Sequence, residues 1–160
     1  MRELPANEPM KRMKHMNKQQ MKLANYGTTI NAVVEATQDN QEKMAPLFEP
    51  LRKAIDENKL ADYDLEAYQQ TQTVFSEGTS NYEALLVKLQ QVAAPVRLLG
   101  PHHTLVRDFA AFTEACKAMT ASLHADRQVD VAAFNAAEKA QDEAIQKFTK
   151  QIQKISVMLS

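Results

Sequence analysis

Residues 130–159 read DVAAFNAAEKAQDEAIQKFTKQIQKISVML, and they show the clearest periodicity in the chain. Inward positions recur every seven residues, with a second apolar set between them, which is the pattern of a helix that buries one face. The seven-residue set is Phe134, Gln141, Phe148 and Ile155. Asp130 precedes the pattern, where a carboxylate can accept from the free amide hydrogens of a first helical turn. The pattern predicts a helix near 130–158.

Three further segments carry similar stripes, and they predict helices near 8–45, 64–94 and 101–125. In the last of these, Pro101 suits the first helical position because it has no amide hydrogen to leave unpaired. The heptad phase of residues 64–94 runs unbroken through the Gly78 region, where helix propensity is poor. The stripes comprise Leu23, Ile30 and Thr37, then Tyr68, Phe75, Tyr82 and Leu89, and finally Leu105, Phe109, Phe112, Cys116, Met119 and Leu123.

Two prolines interrupt the first helical pattern. Pro46 and Pro50 each lack an amide hydrogen, and the ring of a proline clashes with the preceding turn of a helix. We therefore expect a kink in the first helix, or its end followed by a short extra helix near 50–58.

These segments predict an all-α fold, in which residues 1–160 form a single helical-bundle domain with a flexible tail at residues 1–8. Short connections after the second and third helices make those neighbours antiparallel, giving an up-down-up-down four-helix bundle. An offset of 66 residues superposes Asp64 on Asp130 and Lys88 on Lys154. The bundle is therefore interpreted either as two αα-hairpins that arose by duplication or as unrelated helices, because any two heptad helices align once their phases match.

The composition excludes several classes of protein. Three glycines cannot supply the turns of a β-sandwich, and one cysteine allows no internal disulfide. A pI near 6.4 argues against nucleic-acid binding, and no apolar run reaches the length of a transmembrane helix. We expect a cytoplasmic protein, or an extracytoplasmic one if an upstream signal is missing from this chain.

The beginning of the chain combines methionine with basic residues. Residues 1–24 carry six bases against two acids, so a protein partner or self-association through residues 10–24 is expected. A basic amphipathic helix can also make weak contact with a membrane surface. The alternative is a solvated first turn of the bundle. The candidate partner-binding residues are Met10, Lys11, Met13, Lys14, Met16 and Lys18.

No sequence motif indicates catalysis, a metal or a cofactor. No histidine follows a glutamate by three residues, as di-iron bundles require, and Cys116 occupies a core position. Gln141 is polar at an inward position, so it either fixes helix register or lines an interior pocket. The candidate residues for such an interior polar site are Gln141, Tyr68, Tyr82, His102 and His103.

Two functions remain from this evidence. The leading expectation is a non-enzymatic interaction or scaffold protein, because long polar helix surfaces accompany the lack of site chemistry. The alternative is a bundle that binds a small molecule, or the soluble part of a surface-anchored bacterial protein.

Overall fold

The structure, a computed structural model, describes residues 17–160. Four helices account for most of this part of the chain: α1 (Lys18–Asp56), α2 (Leu65–Gln91), α3 (Leu99–Ala121) and α4 (Val131–Leu159). Short 3-10 turns at Leu60–Asp62 and Val96–Leu98 lie in the connections, and residues 17–160 contain no strand beyond one isolated bridge. The all-α prediction is confirmed, while the tail expected at residues 1–8 lies outside the described residues.

Side-chain caps fix where three of the helices begin. Asn17 and Gln20 form a reciprocal capping box at the start of α1. The carboxylates of Asp64 and Asp130 accept from the amides of Ala67 and Ala133, at 2.9 and 3.1 Å. The cap predicted at Asp130 is therefore present, and Asp64 and Asn17 cap α2 and α1 in the same way. Their equivalent geometry agrees with the offset of 66 residues, but duplication itself stays a prediction.

Helix α1 passes through both prolines without ending. Its continuous course from Lys18 to Asp56 replaces the expected boundary near residue 45 and leaves no separate helix near 50–58. Pro46 and Pro50 are exposed, whereas Leu51 on the same stretch is fully buried. Burial of apolar side chains stabilises a helix by more than its propensity does. Packing on the core thus holds α1 together where local propensity predicts a break.

Consecutive helices pack as antiparallel neighbours, in the order expected for an up-down-up-down bundle. We call the end of the bundle with the α2–α3 connection the upper end, and the end with the α1–α2 and α3–α4 connections the lower end. The upper half of the core contains aromatic rings in edge-on and tilted contacts, including Tyr82 with Phe112 at 4.9 Å and Phe109 with Phe148 at 5.1 Å between centroids. Such pairs each add about 0.5–1.5 kcal/mol to area burial. The lower half is built on Leu51, Ile55, Tyr68, Phe75, Met119, Leu123, Phe134 and Ala137.

The two lower connections are tied to each other. Arg127, held at a left-handed φ of 62°, donates to the carbonyl of Tyr63 at 3.1 Å, and Tyr68 donates to the carbonyl of His124 at 2.6 Å. Gln72 adds a bond to the carbonyl of Leu123. The α1–α2 and α3–α4 hairpins are therefore joined at this end by hydrogen bonds as well as by apolar packing.

Candidate functional site

The first and last helices leave a cleft between them. Of the four neighbouring pairs, α1 and α4 make the fewest close approaches. The cleft has a volume of about 570 Å³ and reaches down to α2 and α3. Its walls and floor comprise Gln41, Glu42, Met44, Ala45, Phe48, Phe75, Tyr82, Phe112, Cys116, Met119, Glu138, Gln141, Asp142 and Ile145.

A cluster of contacts closes the lower end of the cleft. The rings of Phe48 and Phe134 stack across the helices with 5.9 Å between centroids. Arg52 lies over the Phe134 ring and donates to Asn135 of α4 at 2.8 Å and to Glu138 at 3.4 Å. The gap between α1 and α4 is therefore bounded below by an aromatic stack and a guanidinium.

The floor of the cleft is uncharged at neutral pH. Burial raises the pKa of the Cys116 thiol to about 12. Burial also raises the pKa of the Tyr82 phenol, with a further contribution from Cys116 and a partial offset by a hydrogen bond from Asn40. Both groups stay protonated at pH 7, so the floor is uncharged, and its aromatic rings, its thiol and the thioether of Met119 are nearly fully buried beneath the cleft.

An amide network that runs from the buried Asn40 to the exposed Asn81 supports the α1–α2 side of the cleft. Asn40 donates to the carbonyl of Gly78 at 2.9 Å, and Asn81 donates to the side-chain oxygen of Asn40 at 3.0 Å. Gly78 is buried directly beneath the Met44 thioether, where a Cβ atom would overlap the sulfur. The glycine thus provides the space that Met44 occupies in the cleft wall.

The mouth of the cleft is polar and acidic. Glu42 stands on α1, and Glu138 and Asp142 stand on α4. Gln141 is half-buried, and its amide nitrogen lies 3.5 Å from the sulfur of Met119 on the floor. The site therefore combines an apolar interior with carboxylates at the rim, an arrangement that can hold an apolar group and a polar one together.

The five residues predicted for an interior polar site do not come together. Tyr82 and Gln141 line the cleft, whereas Tyr68 is buried in the lower core and bonded to the α3–α4 connection. His102 is buried at the upper end of the bundle, and His103 is exposed. The expectation of one site formed by all five is corrected, because Tyr68, His102 and His103 belong to other parts of the fold.

The predicted partner-binding segment lies mostly outside the described residues. Met10, Lys11, Met13, Lys14 and Met16 precede Asn17, where the description begins. Lys18 is exposed in the first turn of α1. Partner binding and membrane-surface contact through this segment stay predictions.

Sequence reasoning missed most of the cleft wall. In the sequence, Met44 and Phe48 simply continue the apolar stripe of the first helix, and Glu42, Glu138 and Asp142 resemble the carboxylates of any solvated helix face. Heptad periodicity shows which side chains point inward, but it does not show which pair of helices stays apart. The feature of the sequence that does indicate the cleft is Gln141, a polar residue at an inward position.

Within residues 17–160, no group of three or more histidine, cysteine or acidic side chains is arranged to hold a metal ion. None of the helices in that range combines the length and apolarity needed to cross a bilayer. Comparison with known protein families, curated proteins and solved structures gives no significant match to this chain.

Proposed function

We propose that this protein is a non-enzymatic binding protein and that the α1–α4 cleft holds a small, mainly apolar organic molecule. The observation that carries the proposal is the open volume of about 570 Å³ between α1 and α4, above an apolar floor formed by α2 and α3. Small-molecule sites usually have volumes of about 300–1,000 Å³, apolar walls and a few polar groups, and in bundles they lie between helices. Size, lining and position of the cleft all agree with that description.

Binding, rather than covalent chemistry, is supported by the state of the two reactive groups in the cleft. A thiol attacks as the thiolate, and a phenol acts as a base only when it is ionised. Burial favours the neutral forms of Cys116 and Tyr82 by raising the pKa of each. We therefore assign them to the uncharged floor beneath the ligand rather than to a reacting pair.

The proposal is tested by filling the cleft. Ala45 lines it and is exposed, so Ala45→Trp places an indole in the mouth without disturbing the core. Isothermal titration with 2-naphthalenemethanol, an uncharged aromatic probe, should show one site in the wild type. The affinity of Ala45→Trp should be at least about tenfold weaker, since one buried aromatic group is worth more than 1.4 kcal/mol.

The matched control is Ala136→Trp, which adds the same side chain to an exposed position of α4 outside the cleft. This variant should bind the probe as the wild type does. Equal loss in both variants would overturn the proposed function, as would failure of the wild type to bind this alcohol and its charged analogues with the same ring system.

Self-association is a second candidate, favoured by exposed apolar side chains at the upper end of the bundle. Val96 and Val157 are 78% and 74% exposed, and Leu99 and Met21 lie at the same end. The partner proposed is a second copy of this chain, because a net charge of −1 opposes its approach only weakly. Sedimentation velocity should show a concentration-dependent species that Val96→Asp/Val157→Asp removes.

The control for that measurement is Leu65→Asp at the opposite end, which should leave the species unchanged. A monomer at every concentration would contradict self-association without affecting the cleft proposal. For location we propose the cytoplasm, on the basis of the single buried thiol, with fractionation of native cells as the test.

A further inference from the structure

We infer that the ligand of the α1–α4 cleft is a small organic cation, with an aromatic or aliphatic body and one protonated amine or quaternary ammonium group. The inference rests on the proposed function and adds the ligand's charge. Its basis is the charge of the side chains around the mouth, together with the apolar surface beneath them.

The side chains around the mouth are predominantly acidic. The cleft itself has three carboxylates in its lining and no basic side chain. An adjoining groove along the same two helices adds Asp56 and Glu143, together with the basic side chains of Arg52 and Lys139. The two surfaces together contain five carboxylates and two bases, a net charge of −3.

Arg52 pairs with only one carboxylate of the rim, Glu138. Its guanidinium lies 2.6 Å from Asp56 and 2.8 Å from Asn135, and it reaches Glu138 only at 3.4 Å. Within residues 17–160, Glu42 and Asp142 take part in no ion pair. These two carboxylates stand on opposite walls, so a cation between them interacts with both helices.

The interior suits the remainder of such a molecule. The ring of Phe48 is half-buried in the cleft wall, and the nearly fully buried rings of Tyr82, Phe112 and Phe75 form the apolar floor beneath it. Aromatic faces attract cations as well as apolar groups. An anion of the same shape would gain the apolar contacts but would be repelled by the rim.

The experiment compares three probes with one ring system. They are 2-naphthylmethylamine, which is cationic at pH 7, 2-naphthalenemethanol, which is neutral, and 2-naphthoate, which is anionic. Titration calorimetry at low ionic strength should give the tightest binding for the amine, about tenfold tighter than for the alcohol, and the weakest for the carboxylate. Because salt screens exposed charges, the preference for the amine should shrink as ionic strength rises.

The double variant Glu42→Gln/Asp142→Asn tests whether these two carboxylates are responsible for the preference for a cationic ligand. It leaves Glu138 in place, because Glu138 also contacts Arg52. We expect the amine's advantage over the alcohol to fall to about twofold. The control Glu35→Gln/Glu77→Gln removes two exposed carboxylates outside the cleft and should retain the full preference.

The outcomes separate the two proposals. If the alcohol binds but the amine binds no more tightly, or if the double variant keeps the preference, the cation inference is overturned and the proposed function stands. Tighter binding of the carboxylate would overturn it in the same way. If none of the three probes binds, the proposed function fails, and the inference fails with it.

Discussion

The Nδ1 atom of His102 lies 2.9 Å from the hydroxyl oxygen of Tyr26, a residue 76 positions earlier in the chain. The other ring nitrogen, Nε2, lies 2.8 Å from the carbonyl oxygen of Leu89. A carbonyl only accepts, so Nε2 carries the hydrogen, and Nδ1 accepts from the tyrosine hydroxyl. The neutral imidazole thus connects α1, the end of α2 and the start of α3.

This arrangement predicts a pH-dependent stability. Burial lowers the pKa of His102 from 6.5, a contribution from His103 acts in the same direction, and the bond to Leu89 opposes them. Between the folded pKa and 6.5 the unfolded chain binds more protons, so the free energy of unfolding decreases as pH falls below 6.5. Above 6.5 the contribution of His102 is fully present. Urea unfolding over this range measures it.

Two variants isolate the histidine from the carboxylates that also titrate. His102→Gln removes the titration, so its unfolding free energy should lose that part of the slope. His103→Gln, at the exposed neighbour, should keep most of the slope. Identical pH profiles for wild type and His102→Gln would show that His102 titrates alike in both states.

The contact between Gly78 and Met44 predicts a coupled pair. Glycine costs about 1 kcal/mol relative to alanine within a helix, but a Cβ at Gly78 would displace the Met44 sulfur. We expect Gly78→Ala to raise the unfolding free energy by about 0.5–1 kcal/mol in a Met44→Ala background, and by less or not at all in the wild type. A double-mutant cycle measured by denaturant unfolding gives the coupling.

Gly100 supplies the control, because a Cβ there would meet nothing within 4 Å. Gly100→Ala should have the same effect with or without Met44. If the cycle at Gly78 closes with no coupling energy, the steric account is wrong.

The cap at the start of α4 predicts a specific loss of stability. The Asp130 carboxylate accepts from the Ala133 amide at 3.1 Å, so Asp130→Ala should cost about 1 kcal/mol. Asp130→Ser keeps an acceptor at that position and should cost only a fraction of this. Equal losses in the two variants, measured by thermal or urea unfolding, would assign the effect to something other than capping.

Burial of Cys116 predicts that its thiol reacts slowly with alkylating reagents. With its pKa raised to about 12, the thiolate fraction at pH 8 is on the order of 10⁻⁴, and the side chain is only 4% exposed. Alkylation by iodoacetamide should therefore be at least about 100-fold slower in the folded protein than in urea. Reaction at the unfolded rate under native conditions would contradict the buried position. Since Cys116 lines the cleft, 2-naphthalenemethanol should slow the reaction further.

Much of the fold could be predicted from local chemistry. The caps at Asp64 and Asp130 and the buried stripe through Cys116 depend on neighbouring residues alone, and the structure contains each of them. The extent of α1 could not be predicted in this way. Pro46 and Pro50 break a helix judged by its own backbone, whereas burial of Leu51 and its neighbours keeps this one intact.

The candidate site was predicted only in part, for a related reason. Gln141 and Tyr82 were predicted to line an interior site because a polar atom at an inward position needs a hydrogen-bond partner there. His102 was predicted to lie in the same site, but both nitrogens of its ring form hydrogen bonds elsewhere, with Tyr26 and with the carbonyl of Leu89. The distance between two helices depends on side chains throughout the bundle. The sequence of a single segment therefore does not predict that α1 and α4 stay apart.

The course of α1 through its prolines determines how compliant one wall of the cleft is. Without amide hydrogens, Pro46 and Pro50 leave the carbonyls of residues 42 and 46 without their usual helical partners, beside Met44 and Phe48. A helix that lacks two of its backbone hydrogen bonds bends at a lower free-energy cost than α2 and α3, which have no proline at that depth. The lower end of the cleft is closed by the Phe48–Phe134 stack and by the Arg52 bond to Asn135. The cleft should therefore tolerate thicker ligands more readily than longer ones.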